Sequence, residues 1–150
     1  MGVITIKKKF SNIVYLARDI AYHAFLNKVD HGGNAYIFHL VSVAGNCTDK
    51  EAQAAGYLHD VLEDTDITAD DLLKDGIPVS VVETVQLLTR TQDETYAEYL
   101  EKLKSDPIAK EVKLADLADN MNLDRLNDSS DKSNFSLLRR YKKAVIFLES

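Results

Sequence analysis

The chain has 150 residues, 45% of them hydrophobic and 28% charged, with a formal net charge of −6. That length suits one domain, residues 1–150, with a core able to stand alone. The negative charge argues against a nucleic-acid backbone or an anionic membrane surface as partner, and no apolar run reaches the roughly 18 residues that a membrane span needs.

The periodicity is helical nearly throughout. Residues 11–29 place Ile13, Leu16, Ile20 and Ala24 at three- and four-residue spacing. VDHGGNAY then breaks the pattern, and a short segment follows from His39 to Asn46. Thr48, with Glu51 three residues on, predicts a capping box for a helix that runs to Thr65. ITADDLLKDG reads as a short helix capped at Thr68 and stopped by Gly76. Pro78 suits a helix start, and VSVVETVQLLT continues from it; its β-branched content also allows a strand, but Val79, Val82, Val85 and Leu88 keep a spacing of three. TYAEYLEKLKS, DPIAKEVKLADLADNM with Pro107 in its first turn, and NFSLLRRYKKAVIFLES complete the helices. VITIKK, at the start, is the one candidate strand. The expectation is an all-α single domain of six or seven helices.

GYLHDVLEDTDIT carries His59, Asp60, Glu63 and Asp64 within six residues. At about 100° per residue these four side chains fall within an arc of about 140° on one helix face, opposite Ala55, Leu58 and Leu62. An acidic helix face is ordinarily a solvated one. This one has no Lys or Arg to interleave the charge, and its His adjoins an Asp. A divalent cation would resolve both features, since imidazole nitrogen and carboxylate oxygen are common metal ligands. Two further residues fit. His39 opens its own segment, and Asp116 sits among Val112, Leu114, Ala115, Leu117 and Ala118, where an unpaired carboxylate would be costly. Capping a helix or pairing with Lys113 is the alternative role for Asp116. Asn120 lies one turn from Asp116 on the same face.

His39, the pair His59-Asp60 and the distant Asp116 together resemble the H…HD…D pattern of the HD-domain metal-dependent phosphohydrolases. The likeness is stronger to the hydrolase domain of the RelA/SpoT alarmone enzymes and their small stand-alone relatives. AYIFHLVSVA is similar to that group's PYIxHPxxVA, GYLHDVLEDTDIT to its xLLHDxxEDTxxT, and VKLADLADNM to its VKLADRLxNM. The matches keep the family's order over roughly residues 10–145. The resemblance implies a helical HD domain with one divalent metal, most often manganese, held by His39, His59, Asp60 and Asp116. It implies that Glu63 and Asp64 orient and deprotonate the attacking water. It further implies that Asn120 and a tyrosine of the last helix, Tyr141, hold a nucleotide, cleaved in the relatives to release pyrophosphate from guanosine 3′,5′-bis(diphosphate).

The chain departs from that pattern on the phosphate side. The family's Arg-Lys pair is replaced by Asp30 and His31; His31 can still donate a hydrogen bond, and Lys28 lies nearby. Leu40 replaces the Pro after the first metal His, Leu117 replaces an Arg, and Asp119 adds an acid. The functional expectation is a metal-dependent phosphohydrolase acting on a phosphorylated small molecule, a nucleotide, with the alarmone as one candidate. An HD-type 5′-nucleotidase or nucleotide pyrophosphohydrolase is the second reading, and a metal-stabilised module that binds a nucleotide or protein without turnover is the third.

The remaining residues carry ordinary readings. The single Cys47 excludes an internal disulfide and reads as a small buried hydrophobe in a reducing compartment. MGVITIKKKF lacks the apolar core and cleavage site of a signal peptide, so the expected location is the cytoplasm. His23, Tyr96 and Tyr99 read as packing or surface, KKK at 7–9 as a solvated run, and Arg90 and Arg125 as salt-bridge partners. Val145, Ile146 and Leu148 on the last helix offer a surface for a homodimer or for the core.

Overall fold

A computed structural model describes residues 12–30, 32–122 and 132–150, with side chains from 135 onward in the last stretch. Nine helices appear among the described residues: α1 (Ile13–Ala24), α2 (Ile37–Gly45), α3 (Lys50–Leu58), α4 (Val61–Asp64), α5 (Ala69–Lys74), α6 (Val79–Leu87), α7 (Tyr96–Lys104), α8 (Pro107–Asn120) and α9 (Lys132–Glu149). The all-α expectation holds, and VSVVETVQLLT is helical. The count exceeds six or seven because some predicted helices are short or divided. VITIKK, the KKK run, His31 and Arg125 lie outside the described residues.

Local chemistry explains most of the boundaries. Asn12 caps α1 by accepting from Val14 N at 2.8 Å. Thr68 and Asp71 form a reciprocal capping box on α5, and Thr95 and Glu98 form another on α7. Pro107 occupies the first turn of α8 behind Asp106, whose carboxylate accepts from Ile108 N and Ala109 N. The expected Thr48 cap is not the one used. Asp49 caps α3 by accepting from Ala52 N at 2.8 Å, while Thr48 donates through its backbone and hydroxyl to Glu111 on α8. A carboxylate three residues before Ala52 competes directly with the hydroxyl four residues before it, and it prevails here.

Between α1 and α2 the chain turns through a single antiparallel bridge, Val29 to Ala35. Gly33 has φ 82° there, a left-handed conformation that suits glycine. Asp30 stabilises the turn by accepting from the backbone N–H groups of Gly32 and Asn34.

Helix α3 is the centre of the bundle, packed against α1, α2, α6 and α8. Its Ala52, Ala54, Ala55 and Leu58 are fully buried. Small side chains allow neighbours to approach closely: a Cβ built on Gly56 would stand 3.0 Å from the Ala44 Cα of α2. Leu40, Val43, Leu72, Val85, Leu103, Val112, Leu117 and Leu148 fill the surrounding layers. Each such leucine contributes about 2 kcal/mol relative to an exposed position. Leu148 faces this core, whereas Ile146 is 70% exposed.

The predicted helix to Thr65 is divided at His59-Asp60. Asp60 has φ −103° and ψ −2°, off the helical values, and α4 restarts at Val61. Four residues are therefore not one continuous helical face. The division turns His59 and Asp60 inward while Glu63 and Asp64 remain exposed.

Candidate metal centre

Helices α2 and α8 and the turn between α3 and α4 meet at a buried polar cluster. Helix α2 contributes His39, the turn contributes His59 and Asp60, and α8 contributes Asp116, Asp119 and Asn120. His39, His59, Asp116 and Asp119 are each less than a tenth exposed. The ligand atoms of His39, His59 and Asp60 lie within 4.8 Å of one another.

Asp116 closes the cluster. Its Oδ1 is 2.9 Å from His39 Nε2 and 3.3 Å from His59 Nε2, and it accepts from Asn120 Nδ2 at 3.2 Å. Its Oδ2 accepts from Lys113 Nζ at 3.0 Å. Asp116 thus pairs with Lys113, as one reading expected, and also faces both imidazoles. Asp60 Oδ2 lies 3.2 Å from His59 Nε2 and accepts a short hydrogen bond from the Tyr36 hydroxyl.

The outer nitrogens of both imidazoles are occupied. His59 Nδ1 donates to the Gly56 carbonyl at 2.7 Å, and His39 Nδ1 is 2.5 Å from Asp119 Oδ2. With each Nδ1 serving as the donor, each Nε2 directs its lone pair at the cluster. That is the arrangement by which acceptors behind the rings prepare histidines for a metal.

Charge supports the same fit. The carboxylates of Asp60 and Asp116 lie against the imidazoles, and Lys113 is the ammonium paired with Asp116. Burial alone would lower His39 and His59, yet the carboxylates of Asp116 and Asp119 raise the first, and those of Asp60 and Asp116 raise the second well above the ordinary histidine range. Burial would raise Asp116, but Lys113 and His59 hold it well below the usual carboxylate range. Burial would likewise lower Lys113; Asp116 keeps it raised. The donor set of imidazole nitrogens and carboxylate oxygens suits a divalent transition metal.

The other candidate residues are distributed around this centre. Glu63 is exposed and accepts from the Arg90 backbone N–H at 2.9 Å. Asp64 pairs with Lys28 at 3.2 Å, and the same ammonium lies 4.4 Å over the Tyr36 ring. Lys28 therefore reaches the rim of the site, linked through Tyr36 to Asp60. Tyr141 packs against the core, where burial raises its phenol, and lies within electrostatic reach of Asp116 and Lys113. It makes no hydrogen bond to the cluster among the described residues.

Sequence reasoning missed several contributors. Asp119 was visible only as an additional acid, and Tyr36 only as part of a motif. Both touch groups that are distant along the chain. Arg90 donates to the Glu94 carbonyl instead of a carboxylate, and it sits with Arg140 and Lys113 around the Tyr96 ring, at 5.7, 5.3 and 6.0 Å from its centre. Cys47 is buried as expected, donates to the Val43 carbonyl, and has its thiol pushed up to about 12 by burial and then by Glu111. His23 is exposed beside Asp19, and Tyr99 donates to the Leu88 carbonyl from the core.

The helical bundle gathers two imidazoles and their neighbouring carboxylates at its centre, the all-α arrangement that the resemblance led one to expect. The same fold occurs in a solved structure described as a metazoan ortholog of SpoT that hydrolyzes ppGpp and plays a role in starvation responses. The two superpose with a TM-score of 0.71 over 91% of this chain and 84% of that one, at 22% sequence identity. No family model matches the chain.

Proposed function

We propose that this chain is a metal-dependent phosphohydrolase acting on a nucleotide, with guanosine 3′,5′-bis(diphosphate) as the leading substrate. The observation that carries the reading is the convergence of the His39 and His59 Nε2 atoms with the carboxylates of Asp60 and Asp116 in a buried cluster. These four residues would hold the cation, manganese in the first instance. When bound, the cation supplies an activated water and polarises a phosphoryl oxygen.

The chain's own groups supply the rest. Glu63, one turn beyond His59 in sequence, is the residue assigned to take the proton of the attacking water, with its carboxylate steadied by the Arg90 N–H. Asp64 assists and is held by Lys28. Asn120 fixes Asp116 and can turn an amide toward the substrate. The substrate's negative charge would be met by Lys28 beside Tyr36 and by Arg90 and Arg140 beside Tyr96. His31 and Tyr141 complete the proposed binding set. Relatedness of fold to a protein that hydrolyzes ppGpp favours this substrate class. A nucleotide with fewer phosphates is the second reading, favoured by Asp30 and His31 standing where the family has Arg-Lys.

The test is release of pyrophosphate from guanosine 3′,5′-bis(diphosphate) by the purified chain with added manganese, beside Glu63→Gln and Asp60→Ala. The expected result is turnover lost in both variants, with metal retained in Glu63→Gln. Activity that survives Glu63→Gln would remove Glu63 from its role as base. No turnover by the folded, metal-loaded wild type would redirect the search to nucleoside mono- and diphosphates.

A further inference from the structure

We propose that Asp119 is a positioning residue whose carboxylate, acting through His39, sets the cation affinity of the centre. This deepens the metal-centre reading above and rests on it. Asp119 Oδ2 lies 2.5 Å from His39 Nδ1, and both side chains are only 4% exposed. The opposite ring nitrogen faces Asp116 at 2.9 Å. Helix α8 therefore grips the His39 ring from both edges, using two carboxylates one turn apart.

The two imidazoles are not equivalent. His59 is backed by a neutral acceptor, the Gly56 carbonyl. His39 is backed by the Asp119 carboxylate. A carboxylate behind Nδ1 fixes the tautomer, makes Nε2 the more basic donor, and stabilises the positive character the ring acquires when it ligates a cation. Packing alone does not account for an acid at this position. Leu117, Val112 and Ala109 on the same helix are fully buried and apolar. A second carboxylate beside Asp116 adds desolvation and repulsion that an apolar side chain would avoid.

The experiment is titration calorimetry of manganese into chelator-stripped full chain, for wild type, Asp119→Ala and Asp119→Asn, with circular dichroism melts of the same samples. Asp119→Ala should weaken the manganese Kd by about 10- to 100-fold. Asp119→Asn should weaken it by less, because its side-chain oxygen still accepts the Nδ1 proton while the charge is gone. A merely structural role would lower the melting temperature and leave the Kd of the folded protein unchanged. A folded wild type that binds no manganese would overturn the metal-centre reading itself. A wild type that binds, with the folded Asp119→Asn protein keeping its Kd, would overturn the role of Asp119 and leave the centre standing. The asparagine variant decides if the alanine variant does not fold.

Discussion

Substituting Gly56 by alanine tests how the bundle sets the spacing of its two histidines. Gly56 lies on α3 three residues before His59, and it faces Ala44 on α2, five residues after His39. An added Cβ would stand 3.0 Å from the Ala44 Cα, 3.2 Å from its N and 3.4 Å from its Cβ. The first two are backbone atoms of a buried helix, so no single side chain can move aside. The helices must separate. Overpacking of this kind costs about 1–3 kcal/mol. Alanine regains about 1 kcal/mol through its helix propensity over glycine. The net expectation is a loss of up to about 2 kcal/mol, or up to roughly 4–8 °C in melting temperature for a domain of this size. The Gly56 carbonyl also orients His59, so separation of α2 and α3 should weaken manganese binding in parallel. The assay is a pair of thermal melts, in chelator and in excess manganese. A melting temperature for Gly56→Ala at or above wild type in chelator would mean that propensity outweighs contact, and the close approach would not be what sets the helix spacing.

Two other outcomes are expected. Lys113→Met removes the ammonium that pairs with buried Asp116, and should destabilise the metal-free protein by about 3 kcal/mol, read by urea unfolding in chelator; a change below about 1 kcal/mol would show that the imidazoles alone neutralise Asp116. Stability of the metal-free protein should also depend on pH with a defined sign. The raised values of His39 and His59 mean that the fold gains from their protonation fully below about pH 6.5, and loses this as pH rises through their folded values. The lowered values of Asp60 and Asp116 give a contribution present above about pH 4 and lost on acidification. Urea unfolding in chelator should therefore be hardest between those limits, and manganese should bind more tightly as pH rises, with proton release detectable in buffers of different ionisation enthalpy. Affinity independent of pH would contradict protonated histidines in the metal-free centre.

Periodicity and capping chemistry were local enough to be read along the chain. The helix starts at Thr68 and Pro107, the helical character of VSVVETVQLLT and the burial of Leu58 all follow from neighbours within one or two turns. The candidates His59, Asp60 and Asp116 stood out as polar groups in apolar stretches, and His39 joined them through the resemblance to the H…HD…D pattern. The partners themselves were not legible. Asp119 reaches His39 across 80 positions, and the Tyr36 hydroxyl reaches Asp60 across 24. Neither pairing leaves a periodic signal. The break at Asp60 was also hidden, since Ala55, Leu58 and Leu62 keep a helical spacing through it. Only the packing of α2 and α8 against α3 brings the carboxylates to the imidazoles. Sequence alone determined which residues needed compensation for buried charge; tertiary structure decided which groups provide it, because electrostatic interactions act over a few ångströms of space regardless of separation along the chain.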